Sequence, residues 1–131
     1  MIEARILVVD DEAEIRKEVV DELKQHVSTV LEAEGGKQAL ALIDSLPADQ
    51  PIDLILSDIR MPGMDGLALL QELRRRGNRV AFVVVSAFYE KANVARARQL
   101  GAADFIEKPY SLSLLRQVTL TTLNAALKRG A

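Results

Sequence analysis

The sequence predicts an α/β domain: an open five-stranded parallel sheet, doubly wound, with helices on both faces. Three observations carry this. Short β-rich runs alternate five times with longer stretches of helical spacing. One run, residues 80–85, is apolar without a break, as in a strand covered on both faces. The 131 residues suffice for one core but give too few units to close an eight-fold barrel. Right-handed crossovers then favour the strand order 2-1-3-4-5, with ligands at the carboxyl ends of the strands.

The first run, residues 5–9, stops at Asp10-Asp11. Helical spacing covers residues 12–25 and puts Ile15, Val19, Val20 and Leu23 on one face. Residues 27–31 read as the second strand, broken by Gly35-Gly36, and residues 37–46 as the second helix, closed by Pro47. Pro51 opens the third strand, residues 52–57, and a loop over 58–65 leads to a helix over 66–76. That helix ends in Arg74-Arg75-Arg76-Gly77, cations on the helix dipole followed by a left-handed cap. After the apolar fourth strand come a helix over 89–100, a short strand over 103–106 and a last helix over 111–128.

Composition excludes several classes. Cysteine is absent, which removes disulfides, zinc–thiolate sites and iron–sulfur clusters. A single histidine, His26 near the end of the first helix, argues against a protein-built zinc or haem site. With 17 basic and 19 acidic residues and a net charge of −2, direct nucleic-acid binding is not expected. No apolar run approaches the roughly 20 residues of a membrane span, and residues 1–6 lack a signal-peptide pattern. The expectation is one soluble, cytoplasmic domain over residues 1–131.

Polar residues end the apolar strands: Asp10 and Asp11 after the first, Asp58 after the third, Ser86 after the fourth, Lys108 after the fifth. Each has a local explanation. Asp11 with Glu14 could cap the first helix, Asp58 could open a turn before Pro62-Gly63, Ser86 could cap the fourth helix, and Lys108 could be a solvated loop residue. Together those explanations fail, because a parallel sheet brings all five groups to one edge. Three close carboxylates need compensation. Oxygen ligands suit Mg²⁺, which binds through one or two carboxylates, waters and phosphate oxygens. With Mg²⁺ and Lys108 the formal charge balances, and an aspartyl carboxylate is an accepted phosphoryl acceptor.

The ordered set resembles the receiver domains of two-component response regulators, similar to the single-domain chemotaxis regulator, with a flavodoxin-like (βα)5 fold. The matching pieces are residues 6–12, 33–40, 58–66, 83–87 and 101–109, in order along the chain. The resemblance implies that Asp58 accepts a phosphoryl group from a phosphohistidine of a sensor histidine kinase or phosphotransfer protein. It implies Mg²⁺, or Mn²⁺, held by Asp10, Asp11, Asp58 and the backbone carbonyl of Arg60. Lys108 would bind a phosphoryl oxygen, its bond to Pro109 being cis; Ser86 would hydrogen-bond the phosphoryl group; Phe105 would be the aromatic switch. Ser86 stands where threonine is common, and Phe105 where tyrosine is common, so a switch at Phe105 must rest on packing. Arg60 and Phe88 occupy positions that set the dephosphorylation rate in this family, and their bulk is expected to shield the acyl phosphate.

The last helix has one charged residue, Arg116, between Pro109 and Leu127. Leu112, Leu115, Leu123 and Ala126 form its expected core stripe; Leu114, Val118 and Ala125 form a second line, with Thr121 and Thr122 beside it. A partner or homodimer surface is therefore expected over helix four, strand five and helix five. Output would run through a downstream protein or a C-terminal domain beyond this chain. Such a domain is not a conventional enzyme, though it assists its own phosphorylation and hydrolysis. The rivals are a pseudo-receiver that binds without phosphorylation, an aspartyl-phosphate phosphatase, and a flavodoxin-like cofactor carrier. The phosphatase wants Asp-x-Asp after the first strand, and the carrier a phosphate loop that Asp10-Asp11-Glu12 would repel.

Overall fold

Alternate residues along each strand feed two separate cores, one on each side of a parallel sheet. The computed structural model describes residues 1–87 and 90–130. Its elements are β1 (Ile2–Val9), α1 (Ala13–Lys24), β2 (Val27–Ala33), α2 (Gly36–Ser45), β3 (Leu54–Asp58), α3 (Gly66–Arg75), β4 (Ala81–Ala87), α4 (Lys91–Gln99), β5 (Asp104–Lys108) and α5 (Leu112–Gly130). The sheet order is β2-β1-β3-β4-β5, and every pairing is parallel, as expected. Ile6, Val8, Leu54, Leu56, Val83 and Val85 meet Val19, Leu23, Leu115 and Leu123 of α1 and α5. Leu7, Val9, Ile55, Phe82 and Val84 meet Leu40, Leu69, Leu70, Leu73 and Ala97 of α2, α3 and α4. Both faces are covered, so the strands need no polar alternation.

The strand ends differ from the expected limits, and the differences matter for chemistry. β3 starts two residues late, because Asp53 already bonds Arg5 through its own side chain: the Arg5 N–H donates to Asp53 Oδ2 at 2.8 Å. It then runs on to Asp58. β4 continues to Ala87 and β5 to Lys108, since Ser86 pairs with Glu107 and Ala87 with Lys108. Ser86 and Lys108 are therefore strand residues rather than loop residues. The expected start of helix four at Tyr89, and Phe88, lie outside the described residues.

Two helices depart from the expected pattern. On α5 the buried stripe is Leu115, Thr119, Thr122 and Leu123, at helical i, i+4, i+7 and i+8 spacing. Thr122 is thus a core residue, not part of a second surface line. Val118 also packs on the core, leaving Leu114 and Ala125 exposed. At the end of α3, Gly77 has φ +79° and caps the helix as expected. Arg74 is different from its neighbours: it is partly buried and donates to the carbonyls of Leu100, Asn78, Val80 and Gly101. Arg75 and Arg76 instead pair with Glu72 at the surface. Among the described residues, no helix is long and apolar enough to cross a membrane.

Candidate functional site

The carboxyl edge of the sheet gathers the acids. Asp10 follows β1, and its N–H donates to the Ala33 carbonyl at 3.1 Å, extending the ladder by one residue. Its Oδ1 accepts the Glu12 N–H at 2.9 Å, so Asp10, not Asp11, steadies the entry to α1. The N-cap of α1 is Glu12, with no side-chain cap, which removes the local explanation for Asp11. Asp58 ends β3 opposite Val85 and is buried. The Ile59 N–H donates to the Val85 carbonyl at 3.1 Å, and the Gly66 N–H to the Ile59 carbonyl at 2.8 Å, which fold the chain tightly behind Asp58. Gly66 is required there, since a Cβ would overlap the Asp58 carbonyl oxygen.

Lys108 reaches across from β5 and donates to Asp58 Oδ2 at 2.8 Å. Its bond to Pro109 is cis, as the resemblance implies. Burial pushes the Asp58 carboxyl up to about 6, against the hydrogen bond and charge of Lys108 and with the help of Asp10 and Asp11. Burial likewise raises Asp10, opposed by the Glu12 N–H and by Lys108. Burial alone would lower Lys108, but the bond and charge of Asp58, with Asp10 and Glu12, hold it above the usual lysine value. The site is acidic beyond what one lysine offsets.

Asp10, Asp11 and Glu12 bring carboxylate oxygens within 4.8 Å of one another, the one such group among the described residues. This all-oxygen set fits a hard divalent cation, and the buried Asp10, with Asp58 nearby, is a carboxyl raised by burial that a cation would relieve. Glu12 was not among the expected ligands. Asp58 lies outside that close group, with one oxygen held by Lys108.

Ser86 is buried at the end of β4 and does not cap α4, whose N-cap is Glu90. It lines a cavity of about 400 Å³ together with Val94, Arg98 and Phe105. Phe105 is half-buried, and the Arg98 guanidinium lies 4.6 Å from its ring centre, a cation–π distance. The Arg60 side chain points largely to solvent, and its Nε donates to Glu90 Oε2 at 3.0 Å. The sequence pattern does not reveal Glu90 and Tyr110. Glu90 looks like an ordinary acid at a helix start, and nothing in the spacing buries it. Tyr110 lines the crevice beside Asp10 and Asp58, and burial with the Asp10 charge pushes its hydroxyl above the usual tyrosine value.

Comparison with known proteins agrees with this geometry. The sequence profile described as the response regulator receiver domain matches residues 6–120. The chain is 37% identical to the chemotaxis protein CheY of Bacillus subtilis over 121 residues, covering 92% of this chain and 98% of that one. It is 36% identical over 129 residues to the transcriptional regulatory protein ResD of the same organism, covering 98% of this chain but half of ResD. A crystal structure of a CheY-like receiver domain protein from Methanospirillum hungatei superposes with a TM-score of 0.85 at 25% identity, over 96% of this chain and 98% of the other. Such domains are phosphoacceptor modules rather than conventional enzymes. The chain belongs to the CheY-like receiver domains of two-component response regulators.

Proposed function

We propose that residues 1–131 form one receiver domain in which Asp58 takes a phosphoryl group from the phosphohistidine of a histidine kinase or phosphotransfer protein. An Asp58 carboxylate oxygen attacks phosphorus in line, the O–P bond forms as the P–N bond breaks, and the freed imidazole leaves with the electron pair. The carboxylate must be ionised to attack, and Lys108, at 2.8 Å, favours that form. Asp10, Asp11 and Asp58, with the Arg60 carbonyl, are the residues we assign to Mg²⁺; Glu12 adds its carboxylate to the same acidic group. The ion would supply charge neutralisation for phosphoryl oxygens. Lys108 then holds one phosphoryl oxygen, and the Ser86 hydroxyl another. Ser86 and Phe105 share a cavity, so a shift of Ser86 towards the phosphoryl group opens room for the ring. That movement would alter the face formed by α4, β5 and α5, where we place the output contact, either a downstream protein, an attached domain or a second copy of this chain. We assign the domain to the cytoplasm.

The observation that carries this reading is the buried Asp58 at a strand end, bonded to Lys108 and flanked by Asp10. Incubation with Mg²⁺ and acetyl phosphate tests it by intact mass. One phosphoryl adduct is expected on the wild type and none on Asp58→Asn. An unmodified wild type, or an adduct retained by Asp58→Asn, overturns the assignment. Sedimentation with and without Mg²⁺–beryllofluoride tests the homodimer: a strict monomer in both states removes it.

A further inference from the structure

Glu90 is an almost fully buried carboxylate, its side chain 4% exposed, and the phosphoryl chemistry described above makes no use of it. A buried carboxylate is costly unless it is paired and hydrogen-bonded. Glu90 has both kinds of partner: Oε1 accepts the Ala87 N–H at 3.0 Å, and Oε2 accepts Arg60 Nε at 3.0 Å. These two donors lie on the two chain segments that border Asp58. Arg60 is two residues beyond it, and Ala87 follows Ser86, whose predecessor Val85 pairs with Asp58. One carboxylate therefore bridges both segments.

The geometry points to Glu90 as an internal anion that occupies, in the unphosphorylated protein, the donors a phosphoryl group on Asp58 would recruit. This inference rests on the phosphoacceptor reading. A phosphoryl group on Asp58 replaces the single negative charge of the carboxylate with about two, in a site already short of positive charge. It draws on nearby guanidinium and amide donors, which make the strongest hydrogen bonds to anions. Arg60 and the Ala87 amide are held by Glu90, so phosphorylation competes with Glu90 for them. Glu90 is also the N-cap of α4: its own N–H donates to the Ala87 carbonyl at 3.1 Å, and its carbonyl accepts the Val94 N–H at 3.0 Å. Release of its side chain frees the start of α4, the helix that buries just Ala97. Glu90 is thus a positioning residue that restrains phosphorylation and ties it to the placement of α4.

Calorimetric titration of the full chain with Mg²⁺–beryllofluoride tests this, using wild type, Glu90→Gln, Arg60→Ala and the double variant. Gln keeps the shape and an acceptor for the Ala87 N–H but loses the charge that competes for Arg60. Glu90→Gln should bind roughly fivefold tighter, and the gain should shrink towards nothing in the Arg60→Ala background. A residue that merely caps α4 predicts no gain. Equal or weaker binding by Glu90→Gln, or an undiminished gain without Arg60, overturns the inference while leaving the phosphoacceptor reading intact. A wild type that does not bind overturns both. Should Glu90→Gln fold poorly, the Ala87 amide resonance of the wild type provides the second readout. It should shift strongly on beryllofluoride binding, and an unmoved resonance refutes the exchange of partners.

Discussion

Asp58 and Glu72 each touch a basic side chain, Lys108 at 2.8 Å and Arg75 at 2.6 Å, yet their carboxyls move in opposite directions. Burial drives Asp58 up to about 6 in spite of its lysine. Hydrogen bonds from Arg75 and Arg76 pull Glu72 down to about 2 at the protein surface. A short ion pair therefore says little about whether a site is electrostatically satisfied; the water each carboxylate has lost decides. Glu72 sits in a balanced cluster that needs nothing further. Asp58 sits in an unbalanced one, with an acidic excess that a bound cation would relieve.

The harshest test of this contrast leaves all charges in place. Gly66→Ala pushes a methyl group against the Asp58 backbone and should destabilise the fold by about 2–3 kcal/mol, read by denaturant unfolding. Asp58→Asn comes next and should stabilise the metal-free protein. The folded pKa of Asp58 lies above its unfolded value near 4, so the stability it contributes is present below about pH 4 and lost as pH rises through about 6. Removing the charge should therefore gain on the order of 2 kcal/mol near pH 8, and the gain should vanish in acid. A gain of equal size at all pH values would break the argument from burial. A smaller effect is expected of Lys108→Met, which should raise the Asp58 pKa further by about one unit, followed by carbon-13 NMR of the carboxyl. The smallest belongs to the surface cluster. Glu72 has a lowered pKa, so its contribution is present above about pH 4 and fades towards pH 2, but solvent screens it. Glu72→Gln should leave the thermal midpoint unchanged within error at neutral pH, and a clear drop would erase the contrast between the surface pair and the buried one.

The sheet order and the meeting of Asp10, Asp58 and Lys108 were legible because strand alternation and strand ends are written in local sequence. The unbroken run ending at Val85 reveals a two-sided strand without any knowledge of its neighbours. What stayed hidden depends on partners far along the chain. Lys108 belongs to β5 because Ala87 is there to pair with it. Thr122 is buried because α5 turns it onto the sheet, although its composition marks it as a surface residue. Glu90 lies inside because Arg60, 30 residues earlier, meets it. Arg74 is indistinguishable from Arg75 and Arg76 in sequence, and separates from them through the carbonyls at Leu100 and Gly101.

That last contact has a mechanical meaning. One guanidinium, rooted in α3, clasps the carbonyls that close α4, while the opposite end of α4 is fastened through the Glu90 carboxylate. If the Glu90 contact releases as inferred above, the helix would act as a lever with a fulcrum at its C-terminal end and a latch at the other. Movement released near Asp58 would then swing its leading end through an arc and leave its tail in place. Arg74→Ala would then loosen the fulcrum, letting the whole helix drift instead of tilt.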